Sequence, residues 1–150
     1  MKWTILALFA ALLLAPAAWA AEEETSPDYM MMADEFMMGL MDNGFYLMPM
    51  SDLINASENE TEIANWVILD VRPDTLYAEG HIPGSINVPD PVLVEKMDTV
   101  PADKKIAVVC QIDTNSAFAV AMLRTFSDRE AWIVQGGVPA WLEAGKELVK

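Results

Sequence analysis

A single cysteine, Cys110, closes the apolar run Val108-Val109-Cys110, and six mostly polar residues follow it: Gln111, Ile112, Asp113, Thr114, Asn115 and Ser116. A helix-like Ala/Phe/Val/Met pattern then begins. A thiol between a strand end and a helix start lies where backbone N–H groups and the positive helix end favour thiolate over thiol. Nucleophilic attack is the chemistry open to such a sulfur. The competing reading of a lone cysteine is a small buried hydrophobe. Asp113 is the awkward residue, because a loop built to hold anions should not carry a carboxylate. About 5–6 Å from a thiolate it costs on the order of 3 kcal/mol at an effective dielectric near 20. If it turns outward the cost falls to ~1 kcal/mol or less.

The other chemistry-bearing residues are few. His81, the only histidine, lies in the turn GHIPGS. Asp70 and Arg72 flank the end of an apolar run, and the Arg72-Pro73 step keeps the backbone extended there. Eight of the eleven methionines fall between Met30 and Met50. Thioethers suit Cu(I), yet Met30, Met32, Met37 and Met41 share an arc expected to face the core, where Met is an ordinary filler. Met31 and Met38 fall among the acids, seven residues and about 10 Å apart on a helix. No His or Cys is near, so the expectation is no metal and no cofactor.

The elements that position these residues alternate. Asp28 to Asp42 has helical spacing, with Tyr29, Met30, Met32, Ala33, Phe36, Met37, Leu40 and Met41 on one broad arc. Asn43-Gly44 ends it, and a short strand, 45–48, follows. Ser51-Asp52 is expected to cap a brief helix to Ala56, with a polar surface loop over 57–62. Strands are predicted at 66–71, 85–88, 105–110 and 131–135, and helices at 74–79, 90–97, 116–126 and 139–145. Such alternation implies an α/β fold, a mostly parallel sheet with helices on both faces.

The N-terminus and the charge bound the setting. Residues 1–20 carry one early charge, Lys2, an apolar stretch, Pro16 and the small-x-small ending Ala18-Trp19-Ala20, which together read as a cleaved signal peptide. An uncleaved anchor is the alternative. The expected location is the periplasm, free of the membrane after cleavage. A lone cysteine in an exported chain cannot close an internal disulfide, so it must be buried or used. The chain carries 23 acidic and 9 basic residues, a net charge of −14. That surface repels nucleic acid and anionic membranes and draws basic partners.

Three stretches carry a family resemblance. LDVRPDTLYAEGHIPGSINVP (69–89), Cys110 with its six-residue loop, and QGGVPAW (135–141) stand in order and spacing. Together they resemble the rhodanese-like sulfurtransferases over about residues 45–148, which leaves 21–44 as an acidic, Met-rich extension. The resemblance implies sulfur transfer from a sulfane-sulfur donor to a thiol acceptor, with Cys110 as nucleophile and Gln111 to Ser116 as the substrate-binding loop. It also implies structural places for His81 and for the pair Asp70 and Arg72. The loop departs from active members in having no Arg and in placing Asp113 where Gly is usual. Thiosulfate, a dianion, is therefore expected to be a poor donor. Ser116 stands where related cysteine phosphatases need an oxyanion-clamping Arg, which argues against phosphatase chemistry. The alternative function is a catalytically weak module that docks a basic, redox-type partner through the acidic Met-rich helix.

Overall fold

Five parallel strands form one sheet in the order β1-β5-β4-β2-β3. The computed structural model describes residues 28–150, so the expected signal segment and the acidic start at 22–27 lie outside the described residues. The strands are β1 (Leu47–Met48), β2 (Trp66–Asp70), β3 (Ile86–Asn87), β4 (Lys105–Val109) and β5 (Ala131–Val134). Runs such as Val67-Ile68-Leu69 and Ile106-Ala107-Val108-Val109 are apolar at every position because both sheet faces are covered. Alternate residues feed two cores. Val67, Leu69, Ile106, Val108 and Cys110 pack on one side with Ala119, Val120 and Leu123. Ile68, Ala107 and Val109 pack on the other with Leu53, Ile82, Val138 and Trp141.

The helices are α1 (Tyr29–Asp42), α2 (Met50–Ser57), α3 (Glu60–Ile63), α4 (Asp74–Glu79), α5 (Asp113–Ser127) and α6 (Gly137–Glu143). Several differ from expectation. α2 starts at Met50 after Pro49, so Ser51 and Asp52 lie within its first turn rather than capping it. The segment expected as a loop over 57–62 contains the start of α3, whose N-terminus the Asn59 side chain caps by accepting from the N–H groups of Thr61 and Glu62. Residues 90–97 form no α-helix, only 3-10 turns at Asp90–Val92 and Met97–Thr99. Among the described residues, no helix is long and apolar enough to cross a membrane.

α1 forms where its spacing predicts, but its apolar arc is not all buried. Phe36, Leu40 and Met32 lie half-buried, with Phe36 stacked on Tyr46 at 5.7 Å between ring centres. Met30, Met37 and Met41, expected to face the core, are 74%, 61% and 73% exposed. The seat for α1 is narrow: it rests on Tyr46 and on the C-terminal half of α5, where Tyr29 meets Phe126 at 6.4 Å. The expected strand at 45–48 is likewise shortened. Gly44, Phe45 and Tyr46 all have positive φ and make a tight 3-10 turn. Two non-glycine residues in that region are strained, by about 1–2 kcal/mol each. The turn drives the Tyr46 ring beneath α1, with the Arg124 guanidinium 3.6 Å from the ring centre. Gly39 admits the Tyr46 hydroxyl, since a Cβ there would sit 2.2 Å from it.

Candidate active site

Cys110 follows the last residue of β4 and is 2% exposed. Its backbone is fixed by the turn that opens α6: the Val138 N–H donates to the Cys110 carbonyl at 2.9 Å. Gly137 (φ +53) packs so closely that a Cβ would lie 2.1 Å from that carbonyl oxygen. This contact explains the glycine at 137; at Gly136 (φ +76) an added Cβ would meet the Ala140 Cβ at 2.6 Å. The sequence marks the pair as a turn, yet nothing in it reveals that the turn presses on the cysteine.

The six-residue wrap expected around the sulfur is not what forms. α5 begins at Asp113 rather than Ser116, so only Gln111 and Ile112 are non-helical. The Ile112 N–H donates to Cys110 Sγ at 3.2 Å, and Sγ in turn donates to the Ile112 carbonyl. Ile112 has no side chain able to cap a helix, and none caps α5 among the described residues. The positive end of a 15-residue helix therefore opens beside the sulfur without a capping acceptor from Ile112. Ser116 is drawn into the helix and is fully buried; its Oγ has no hydrogen-bond partner among the described residues. It lies on the core-facing stripe of α5 with Ala119, Val120 and Leu123.

Asp113 points to the α6 turn. Its Oδ1 accepts from the Gly136 N–H at 2.8 Å. The carboxylate thus joins α5 to the glycine pair that braces Cys110, which gives it a tethering role that charge alone does not suggest. A second carboxyl, Asp90, lies nearby: its Oδ2 accepts from Asn115 Nδ2 at 2.7 Å. Burial raises the Asp90 pKa above its ordinary value of 3.8, and the hydrogen bond from Asn115 works in the opposite direction. The sequence reading missed Asp90 as a neighbour of this loop. Thr114 and Gln111 are exposed, and Gln111 lines a cleft of about 600 Å³ with Leu76, Val138, Pro139, Leu142 and Leu148.

The remaining predicted residues group beside this cleft. Arg72 and Asp70 are buried and paired in a fork, with Nη2–Oδ2 at 2.7 Å and Nε at 3.0 Å from both carboxylate oxygens. Nη2 also donates to the Gly80 carbonyl at 2.8 Å. The guanidinium is thus engaged by the protein at the cleft edge. His81 stacks on Tyr77 at 3.8 Å, and its Nδ1 lies 3.0 Å from the Tyr77 carbonyl. Its backbone exchanges two hydrogen bonds with Val149, stitching residues near 149 to the turn.

Chemically, the arrangement offers a nearly covered sulfur, one N–H donor on it and a helix start beside it. Among the described residues no Arg fork is free to hold an oxyanion here, and two carboxylates are held around the start of α5, Asp113 by the Gly136 N–H and Asp90 by Asn115. The family profile described as Rhodanese-like domain matches residues 52–144. The thiosulfate sulfurtransferase GlpE of Pseudoalteromonas translucida is 31% identical over 86 residues, covering 56% of this chain and 80% of that protein. An adenylyltransferase and sulfurtransferase of Ogataea parapolymorpha is 36% identical over 76 residues, but the match spans 49% of this chain and 19% of that protein. Among solved structures, a rhodanese-related protein from Thermoplasma volcanium superposes with a TM-score of 0.60 at 33% identity, over 68% of this chain and 95% of that one.

Proposed function

The chain belongs to the rhodanese-like domain family, and from that premise we propose that it is a periplasmic sulfurtransferase or persulfide carrier with Cys110 as its nucleophile. The observation that carries the proposal is the sulfur's setting: Sγ hydrogen-bonded by the Ile112 N–H at the mouth of the α5 N-terminus. In that setting the Cys110 thiolate attacks the outer sulfur of a donor persulfide. A new S–S bond forms, the donor's S–S bond breaks, and its electron pair leaves with the donor thiolate. An acceptor thiolate then takes the outer sulfur, and Cys110 leaves as thiolate. The bound persulfide is an anion, stabilised by the same N–H donor and helix end.

The donor class follows from charge and access. A sulfur this little exposed suits a guest that enters as one terminal atom. Asp113 and Asp90 oppose a dianion, so thiosulfate is the disfavoured donor, although the Pseudoalteromonas relative is named for it. A persulfide carried by a basic protein fits a chain of net charge −14. The test is intact mass after incubation with a small-molecule persulfide. A gain of about 32 Da, one sulfur atom, is expected, and it should vanish in Cys110→Ser. No gain with any donor, or an equal gain in the serine variant, would refute the proposal.

A further inference from the structure

On the sequence alone copper is disfavoured because Met30, Met32, Met37 and Met41 share an arc expected to face the core, Met31 and Met38 lie about 10 Å apart, and no His or Cys is near. In the structure Met30, Met37 and Met41 do not face the core. Five methionines of α1, namely Met30, Met31, Met37, Met38 and Met41, are between 61% and 75% exposed. On a helical wheel, the outward arc of about 160° holds these five together with Asp34, Glu35 and Asp42, and nothing else. The buried-side residues Met32, Phe36 and Leu40 fall on a separate arc.

Within the outward arc, Met37, Met38 and Met41 share one turn. Met41 is four residues from Met37 and three from Met38, spacings that put Cβ atoms about 5–6 Å apart. Their side chains are unbranched, with three rotatable bonds each, and Met41 lies between the other two on the wheel, so rotamer changes alone can bring the three thioethers toward one point. Asp34 and Asp42 lie one turn before and after Met38, and α1 holds no Lys, Arg or His. A neutral soft donor set inside a negative field selects a soft monovalent cation. The same carboxylates argue against a purely apolar docking face, because a dry interface would bury them unpaired. Among the described residues, no His, Cys, Asp and Glu cluster forms a metal site, so thioethers are the ligands this surface offers. We propose that Met37, Met38 and Met41 form a Cu(I) site on the outer face of α1.

The proposal is independent of sulfur transfer, and its test removes the thiol. The full chain carrying Cys110→Ser is titrated against a chromogenic Cu(I) chelator, anaerobically and with ascorbate. It should withdraw Cu(I), and Met37→Leu, Met38→Leu and Met41→Leu should each weaken binding about tenfold or more. Met30→Leu should change it less than about threefold. Leucine keeps helix propensity and apolar character, and circular dichroism checks that each variant folds. On the unsubstituted methionine set, the methyl resonances of Met37, Met38 and Met41 should shift on adding Cu(I). No withdrawal of Cu(I), equal binding in all variants, or shifts confined to other methionines would overturn the site. So would a protein partner that covers α1 equally well with and without copper while Cu(I) alone does not bind.

Discussion

Replacing Asp113 with Asn removes a charge while keeping the amide oxygen that can accept from Gly136 N–H, now bonded at 2.8 Å. The α5–α6 tether therefore survives, and what changes is the field at the sulfur. Asp113 is exposed and turned to the Gly136 N–H, so an effective dielectric of about 40 is appropriate; taking a separation of roughly 7 Å, each unit charge on a donor meets about 1 kcal/mol of repulsion. A dianion meets about 2 kcal/mol, or ~30-fold in rate at low salt. Screening at ~0.15 M ionic strength reduces this to about 1 kcal/mol, or ~5-fold. The assay is kcat/KM for thiosulfate:cyanide sulfurtransfer at two salt concentrations, beside a singly charged persulfide donor. Asp113→Asn should raise thiosulfate turnover by these factors, more at low salt, and raise persulfide turnover by about twofold or less. Asp113→Ala, which also breaks the tether, should gain less. No gain in the Asn variant, or a gain independent of salt, would refute the view that this carboxylate selects against dianions.

Gly137→Ala should destabilise by on the order of 3 kcal/mol and abolish persulfide formation, because its Cβ meets the Cys110 carbonyl at 2.1 Å. Gly84→Ala is the control, with φ +78 and nothing within 4 Å of the added carbon; denaturant melts should show only the backbone penalty of about 1–2 kcal/mol. Arg72→Leu leaves the fully buried Asp70 without its partner and should cost about 3–5 kcal/mol, whereas Asp70→Asn with Arg72→Leu should recover much of that. Asp90→Asn should stabilise at neutral pH and keep the bond to Asn115. A carboxyl whose pKa burial raises is a net cost while ionised, and no cost below 3.8, where folded and unfolded states both hold the proton. The stability gap between variant and parent, read from melts across pH, should close as pH falls through the window above 3.8.

The parts legible in the sequence were those written by burial and by short-range chemistry. β2 and β4 are continuous apolar runs because helices cover both sheet faces, and α4 falls on the predicted Asp74–Glu79. The α5 start was hidden because Asp113, Thr114 and Asn115 read as loop residues, yet sit well in a first helical turn. α3 had a signal that went unused: Asn59 three residues before Glu62 is a capping pattern. α1 misled because its two apolar stripes merge on a wheel, and only the narrow seat offered by Tyr46 and α5 tells them apart. Cys110 stands just past the end of β4, where its apolar run places it. Asp113 with Gly136 and Asp90 with Asn115 are long-range pairs, 23 and 25 residues apart, and no local pattern encodes them.

Val138 belongs to two things at once: it lines the cleft of about 600 Å³, and its N–H holds the Cys110 carbonyl. A molecule that settles in the cleft therefore presses on the residue that sets the cysteine backbone. To the extent that a guest binds the sulfur-loaded and empty forms differently, cleft occupancy and sulfur loading of Cys110 shift each other by the same free energy. In the proposed carrier role, a guest held less tightly by the empty form would leave as Cys110 discharges.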